Sequence, residues 1–499
     1  MASSLLKEKS IKGNIAINSI RTIITAAFPL VTFPYVARVL MPEGIGIVTF
    51  ASTIASYFVV LSSFGIPAYG VRQVAQNRNN PNELNKIIHE LFIINMVCIV
   101  ISYALLTVCI VLDPALYKIR LLVIITSSIV LFTAIGFEWV YTGLEQYSFI
   151  TLRGFVFQVI SLIALFVFVR KKDDVIAYAV ITVISSVGSN VLNIIFLKKT
   201  VPISKVHEYN FRRHFKSAGL FFLMAFFSNV LAKLDNIMLG RVSGYQSVGL
   251  YSSANRIMSI LFPVLGSMGQ IFVTRLSFYS KNNFNDKYDD ALNKSFSSIC
   301  FIAIPAVIGL ELLSKEIILV LMGIHFIEAV SIFQVLAPTA LFSLLTMFFA
   351  NQVLYSNEKD QKMLWGIIFN SIASIVFNIL LIPSFNDIGA AVANLLTAVV
   401  GTACFGWLSR GFLKNLNIQK ALYKPILASC LMAAVVLFEK TFITSILQSL
   451  IVCIVTGSLV YFVGLLILRN DIACMIFDVS KNLLLKMILG IYGHNKKRD

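Results

Sequence analysis

Apolar stretches long enough to cross a bilayer recur about fourteen times along this chain, given that roughly 20 helical residues span the ~30 Å hydrocarbon layer. This recurrence leaves one class of fold: an all-α polytopic membrane protein, because a helix satisfies its own backbone hydrogen bonds where no water is available. Composition agrees. Of 499 residues, 58% are apolar and 13% charged, too little polar side chain to cover a soluble globule of that size.

Charged or turn-rich breaks place the spans at 13–39, 45–69, 87–112, 120–142, 149–169, 175–197, 217–240, 247–274, 296–321, 328–355, 363–383, 387–409, 424–438 and 446–468. Proline and glycine mark the tightest connections, at Met41-Pro42-Glu43-Gly44 and at Pro383-Ser384-Phe385-Asn386-Asp387. The polar segment Met1 to Gly13 precedes a first span too long and too proline-interrupted for a cleaved signal peptide, so retention is expected.

Orientation follows from lysine and arginine, which stay on the cytoplasmic side. Of the 41 basic residues, 29 fall on the side of the amino terminus, 9 on the opposite side and 3 within spans, which predicts cytoplasmic termini in a multi-pass membrane protein. The net charge of +17 sits in short loops between spans, where it sets topology and attracts anionic lipid; no nucleic-acid partner is expected. The seven cysteines lie in or beside apolar segments without a C-x-x-C pair. They read as small buried hydrophobes, with no disulfide, metal or cofactor indicated.

An ungapped shift of 203 residues lays Ala37–Phe58 over Gly240–Leu261, with identities at Arg38/Arg241, Val39/Val242, Gly46/Gly249, Ala51/Ala254, Ile54/Ile257 and Ser56/Ser259. A second trace, Val140–Glu145 over Val353–Glu358, follows spans 4 and 10. Six spans separate each pair, so the copies insert with the same orientation. This is a parallel repeat about an axis along the membrane normal. The expected organisation is an N-terminal six-helix lobe (1–197), a basic cytoplasmic connector (198–216), a second six-helix lobe (217–412), helices 13 and 14 (413–470) and a basic cytoplasmic tail (471–499).

Span 1 carries Asn14, Asn18, Arg21, Thr25 and Thr32 along one side of a helix otherwise made of apolar residues. Span 8 repeats the pattern with Ser252, Arg256, Ser259 and Gln270, and span 7 adds Asn229, Lys233 and Asn236 on one predicted face. A charge inside a membrane helix costs at least about 2.5–3.5 kcal/mol on insertion scales, so each marks a cavity, a partner or a side chain reaching the interface. The cavity reading assigns substrate binding to Asn18, Arg21, Thr25, Asn229, Lys233, Arg256 and Ser259. Asp235 and Glu138 are the ion-coupling candidates. The competing readings are a reach to the cytoplasmic face for Arg21, snorkelling for Lys233, Asp235 and Arg256, pairing of Asp235 with Arg256, and an interface anchor for Glu138 beside Trp139. Walls bearing mostly arginine and lysine suit an anion, and arginine's fork matches phosphate oxygens.

At Pro29-Leu-Val-Thr-Phe-Pro34-Tyr-Val-Ala-Arg38 with Gly44-Ile-Gly46, at Leu234-Asp235-Asn-Ile-Met-Leu239-Gly240, and at Val248-Gly249-Leu-Tyr251-Ser-Ser-Ala254-Asn-Arg256-Ile257, the chain resembles polysaccharide and O-antigen flippases (Wzx type) of the multidrug/oligosaccharidyl-lipid/polysaccharide (MOP) transporter superfamily. The resemblance implies two six-helix lobes in alternating access and an undecaprenyl-pyrophosphate-linked glycan as cargo. Arg21, Lys233 and Arg256 stand at the matching cationic positions. Expected partners are that glycan, the bilayer, and a polysaccharide polymerase with chain-length proteins. Lipid II flippases and cation-coupled multidrug extruders are the nearest alternatives, although extruders tend to place carboxylates in the cavity. A membrane glycosyltransferase or polymerase is the enzyme alternative. It is disfavoured because every predicted outside loop is about ten residues or fewer, and no histidine pairs with a carboxylate or cysteine at ligand or triad spacing.

Overall fold

A computed structural model describes residues 11–201, 204, 206, 208–229 and 233–478, with side chains in the first helix from residue 28 onward. All regular structure among them is helical: α1 (Ile11–Ser63), α2 (Ile66–Asn77), α3 (Pro81–Leu112), α4 (Pro114–Lys118), α5 (Arg120–Ala134), α6 (Glu138–Gly143), α7 (Tyr147–Phe168), α8 (Val175–Val183), α9 (Asn190–Thr200), α10 (Arg212–Asn229), α11 (Leu234–Val242), α12 (Tyr245–Lys281), α13 (Asn285–Leu312), α14 (Ser314–Met322), α15 (Ala329–Leu336), α16 (Thr339–Met347), α17 (Asp360–Ser409), α18 (Ile418–Phe442) and α19 (Ile446–Ile467). Ten helices among the described residues are long and apolar enough to cross a membrane, or eleven if a bent pair counts as one span.

That count is compatible with fourteen crossings because the 37-residue α12 is not among those counted and two other helices are too long to be single crossings. A straight helix of 53 residues, the length of α1, would run about 80 Å at 1.5 Å per residue, more than twice the hydrocarbon thickness. Met41 divides it, with φ 59°. The residue before a proline is pushed out of the helical region, and Pro42 has no N–H to continue the ladder. In the 50-residue α17, Asn386 does the same with φ 53°, a left-handed value that asparagine tolerates better than most residues. Both breaks fall inside the loops expected from sequence.

Several expected spans are interrupted where the sequence predicts continuous helix, among them span 9 at Leu313, between α13 and α14, and span 10 at Ala337 and Pro338, between α15 and α16. Span 2 ends at Ser63, and α2 starts anew behind Gly65, whose φ is +73°. Span 4 stops at Ala134 and resumes as α6 after Phe137. Span 7 is two helices, α10 and α11, bent by 48°.

The chain forms two compact units. The first comprises Met1–Ser253, Leu321–Phe326 and Ser374–Ala390. Its core gathers Ile66, Tyr69, Leu84, Ile87, Leu91 and Trp139. Val100, Ile101, Leu105, Val108 and Val111 of α3 remain exposed, as a lipid-facing surface requires. Lipid tails are as apolar as leucine, so polar bonds and close packing hold membrane helices together. Asn95 accordingly donates to Ala134 O at 3.1 Å and Tyr103 to Ser127 O at 2.8 Å.

The second unit comprises Ala254–Val320, Ile327–Ala373 and Ala391–Asp499. One apolar core centres on Leu292, Phe296, Ile299 and Phe348; another, on Met432, Val436, Tyr461 and Leu465, joins α18 and α19 to the α13–α14 junction. Tyr461 donates to Phe301 O at 2.6 Å, and Lys440 pairs with Glu316 at 2.8 Å.

Candidate functional site

The stripe on α1 runs along a helix whose backbone is continuous up to Met41. The side chains of Asn18, Arg21 and Thr25 lie outside the described residues. Higher on the same helix, the Thr32 hydroxyl donates to Phe28 O at 3.0 Å, which keeps it satisfied within its own turn.

The expected single face of Asn229, Lys233 and Asn236 requires correction, because these residues belong to two helices bent by 48° and not to one continuous span. The break has a polar rationale on its far side. Asp235 occupies the first turn of α11, where the positive end of the helix dipole favours a carboxylate. Its Oδ1 accepts the Asn236 N–H at 2.7 Å, and its Oδ2 accepts the hydroxyl of fully buried Tyr251 at 2.5 Å. Asp235 is itself 6% exposed, so it is a packed, hydrogen-bonded acid and does not snorkel. Lys233 is exposed at the start of α11. Asn229 is also exposed, its amide returned to Ala225 O at 3.0 Å.

On α12, Arg256 is half-buried and Ser259 exposed, the Ser259 hydroxyl donating to Arg256 O at 2.8 Å. A threonine, serine or asparagine bonded to its own turn can exchange that weak bond for one to a ligand at small cost.

Glu138, at the start of α6, pairs with Arg153 of α7 at 3.4 Å. Sequence reading passed over Arg153, which is 4% exposed and donates to Ser189 O at 2.9 Å and to Asn190 Oδ1 at 3.0 Å. The π-helical turn Ile184–Gly188 immediately precedes Ser189. A turn of that kind leaves carbonyls off the regular ladder, and the guanidinium takes one. The available signal was a lone arginine in an apolar span. Its partners, 36 and 37 positions away, could not be read from spacing. Sequence reading also passed over Glu90, Arg213 and His214, which meet where the connector returns to α3.

The two hairpins of the internal repeat touch each other. A Cβ placed on Gly46 would stand 1.7 Å from Tyr245 O, and one on Gly249 would stand 1.8 Å from Pro42 O. Residues 42 and 245, and residues 46 and 249, are equivalent under the shift of 203, so the contact is reciprocal, as a two-fold axis requires. The Phe50 and Tyr245 rings lie 5.5 Å apart beside it. Around the rim, Arg241 Nη1 bonds Asp113 Oδ1 at 2.9 Å and Ser243 donates to Asn386 Oδ1 at 2.8 Å.

Comparison with known proteins bears on the family and the fold. Residues 11–273 match the family model described as polysaccharide biosynthesis protein. A protein of Escherichia coli (strain K12) named "Putative O-antigen transporter" is 24% identical over 380 residues, covering 75% of this chain and 91% of that protein. A solved structure of the lipid II flippase MurJ in an inward closed conformation superposes with a TM-score of 0.65 at 16% identity, over 92% of this chain and 99% of that one. An inward-facing multidrug resistance MATE family transporter of the MOP superfamily gives 0.60 at 16% identity, over 80% and 99%. At such identities the structural likeness speaks for the fold alone, whereas the family match covers more than half of the chain. This polytopic chain with a MATE-like helical fold therefore belongs to the polysaccharide biosynthesis protein family and is a membrane transporter, not an enzyme.

Proposed function

We propose that the chain is a flippase that carries an undecaprenyl-pyrophosphate-linked oligosaccharide repeat unit from the cytoplasmic to the outer leaflet by alternating access, for cell-surface polysaccharide synthesis. The observation that carries this reading is the reciprocal packing of Gly46 on Tyr245 and Gly249 on Pro42. Two equivalent hairpins meeting largely through bare backbone, with the Phe50 ring packed on Gly240 and beside Tyr245, form a surface that can part and rejoin as a unit. The moving bodies are the lobes 1–197 and 217–412, with both termini and the connector in the cytoplasm, which puts the hairpin seam on the outer side. The family match favours a polysaccharide repeat unit over lipid II as cargo.

Arg21, Lys233 and Arg256 supply the positive charge that meets the pyrophosphate, with Asn18, Thr25, Asn229 and Ser259 facing sugar hydroxyls. Asp235 and Glu138 are the acids available for ion coupling, Asp235 being the one in the hairpin that moves. A polymerase and chain-length proteins receive the product.

Export of surface glycan by cells carrying Arg21→Ala or Arg256→Ala tests the reading. Loss of one charge-assisted contact, about 1.5–3 kcal/mol, weakens binding by roughly one to two orders of magnitude, and lysine restores only part because it lacks the paired donors. Full export by a normally inserted Arg21→Glu, Arg256→Glu double variant would eliminate the anionic cargo.

A further inference from the structure

The described residues of the connector, read from sequence as a basic linker, are docked, and what docks them is a buried acid. Glu90 of α3 is fully buried, and its carboxylate is saturated by donors arriving from one direction. The Asn210 N–H reaches Oε1 at 2.6 Å, while Arg213 Nε at 2.9 Å, Arg213 Nη2 at 2.5 Å and His214 Nε2 at 2.8 Å converge on Oε2. Arg213 also pairs with Glu83, one turn-pair earlier on α3. Beside this, Asn85 and Ser204 exchange bonds, amide to carbonyl at 2.9 Å and backbone N–H to amide oxygen at 3.2 Å.

His214 is the group that can change. Its ring is 1% exposed, lodged between Glu90 on Nε2 and the Tyr69 hydroxyl of α2 on Nδ1, at 2.8 Å each. Those partners select the neutral ring with hydrogen on Nε2, since Nε2–H donates to the carboxylate and Nδ1 accepts the tyrosine proton. Both nitrogens are then satisfied. A second proton, on Nδ1, turns that acceptor into a donor and leaves the Tyr69 O–H without its acceptor. It also places a new positive charge 3.3 Å from Arg213 Nε inside a closed pocket. The charged and titratable groups facing the ring are Tyr69 of α2, Glu83 and Glu90 of α3, and Arg213 of α10, with Arg72 of α2 exposed beyond Tyr69. Glu90 draws the proton in but is already shared by Arg213.

We infer that His214 is a proton-binding site that latches the connector and the foot of α10 onto α2 and α3: closed with the ring neutral, released when the ring takes a proton. The inference does not depend on the cargo. The docked form holds the neutral ring, so docking is complete above the ordinary histidine range near 6.5 and is lost as pH falls below it.

Amide hydrogen exchange on the full chain in lipid nanodiscs, with rates corrected for intrinsic pH dependence, reads the latch directly. Protection across 208–214 is expected to hold from pH 8 to about 6.5 and then fall by at most about tenfold per pH unit, the limit for one proton. His214→Gln keeps an amide donor for Glu90 and an acceptor for Tyr69 but cannot charge, and should give protection that is flat with pH. His89→Gln, at the histidine directly before Glu90 on α3, should leave the response intact. Tyr69→Phe removes one docking bond while keeping the histidine, and should move the loss to higher pH. A response that survives in His214→Gln, vanishes in His89→Gln, fails to move in Tyr69→Phe, or is missing from the native chain overturns the latch. Glycan export by the same variants is a separate readout, so failure of the flippase reading leaves this result standing.

Discussion

Gly46 and Gly249 occupy equivalent places in the two copies of the repeat, and each presses bare backbone against the other hairpin, so that a Cβ would fall 1.7 Å from Tyr245 O or 1.8 Å from Pro42 O. No carbon and oxygen approach so closely without a bond. Even alanine must push the hairpins apart, and because the obstacles are carbonyls held in helices, neither side has a flexible end to move aside.

Gly46→Ala and Gly249→Ala should therefore each prevent closure of the seam. Overpacking of this kind costs about 1–3 kcal/mol where a core can adjust, and a seam that only has to open will open instead. In a background without native cysteines, maleimide labelling of Ser56→Cys from outside should rise severalfold in either variant, with glycan export lost at normal protein levels. Unchanged labelling would mean that the contact does not govern access.

The rim pair Asp113–Arg241 should matter far less. Both side chains reach water, and exposed pairs contribute about 0.2–1 kcal/mol. Arg241→Glu alone should alter the transport rate by no more than about fivefold, and the charge exchange Asp113→Arg with Arg241→Glu should recover most of the loss. A complete block by the single change, rescued by the exchange, would assign the rim a larger share of closure than its exposure allows.

Glu138 and Arg153 separate a structural role from a coupling one. Glu138→Gln leaves a buried guanidinium facing an amide in place of a carboxylate. The loss should be about 1–3 kcal/mol, less than for a wholly buried pair because Glu138 remains partly solvated. Thermal unfolding in detergent should shift down, with the gradient dependence of export unaltered. If stability is retained and the gradient dependence disappears, the acid is a coupling residue.

The turn that joins α7 to α8 carries its own acid response. Asp174 accepts the backbone N–H groups of Arg170 at 2.9 Å and Lys171 at 2.8 Å. These bonds, with the nearby Lys171 charge adding to them, hold its carboxylate below the ordinary aspartate range. The bonds are intact above that range and lost as pH falls through the lowered value, so exchange at residues 170 and 171 should accelerate only in acid below the ordinary aspartate range, and at neutral pH in Asp174→Asn. Equal exchange rates in the native chain and Asp174→Asn at neutral pH would rule this out.

What the sequence disclosed depended on whether the cause was local. Pro42 and the Pro383–Asp387 loop break helices through their own chemistry, and the chain breaks there. Gly65 and Gly136 carried the same kind of signal for spans 2 and 4. Between Asn229 and Lys233 stand only valine, leucine and alanine, so the one local mark of the bend of span 7 is Asp235 in the first turn of the helix that follows. The candidate site divides in the same way. Asp235 was legible as an intramembrane acid, but its bond to Tyr251 depends on how α11 and α12 meet. Glu90 and His214 lie 124 positions apart, and nothing in either neighbourhood names the other.

The main-chain character of the hairpin seam has an evolutionary consequence. A closure made by side-chain complementarity would need retuning whenever the cavity walls changed shape for a new glycan. Here the closest atoms are carbonyls and missing β-carbons, joined by the Phe50 ring on Gly240, and on the proposed mechanism none of them belongs to the residues assigned to cargo. Mutation can remodel what is carried while leaving the machinery of opening untouched, so cargo and gate are able to diversify independently. The two glycines are the narrow toll on that freedom.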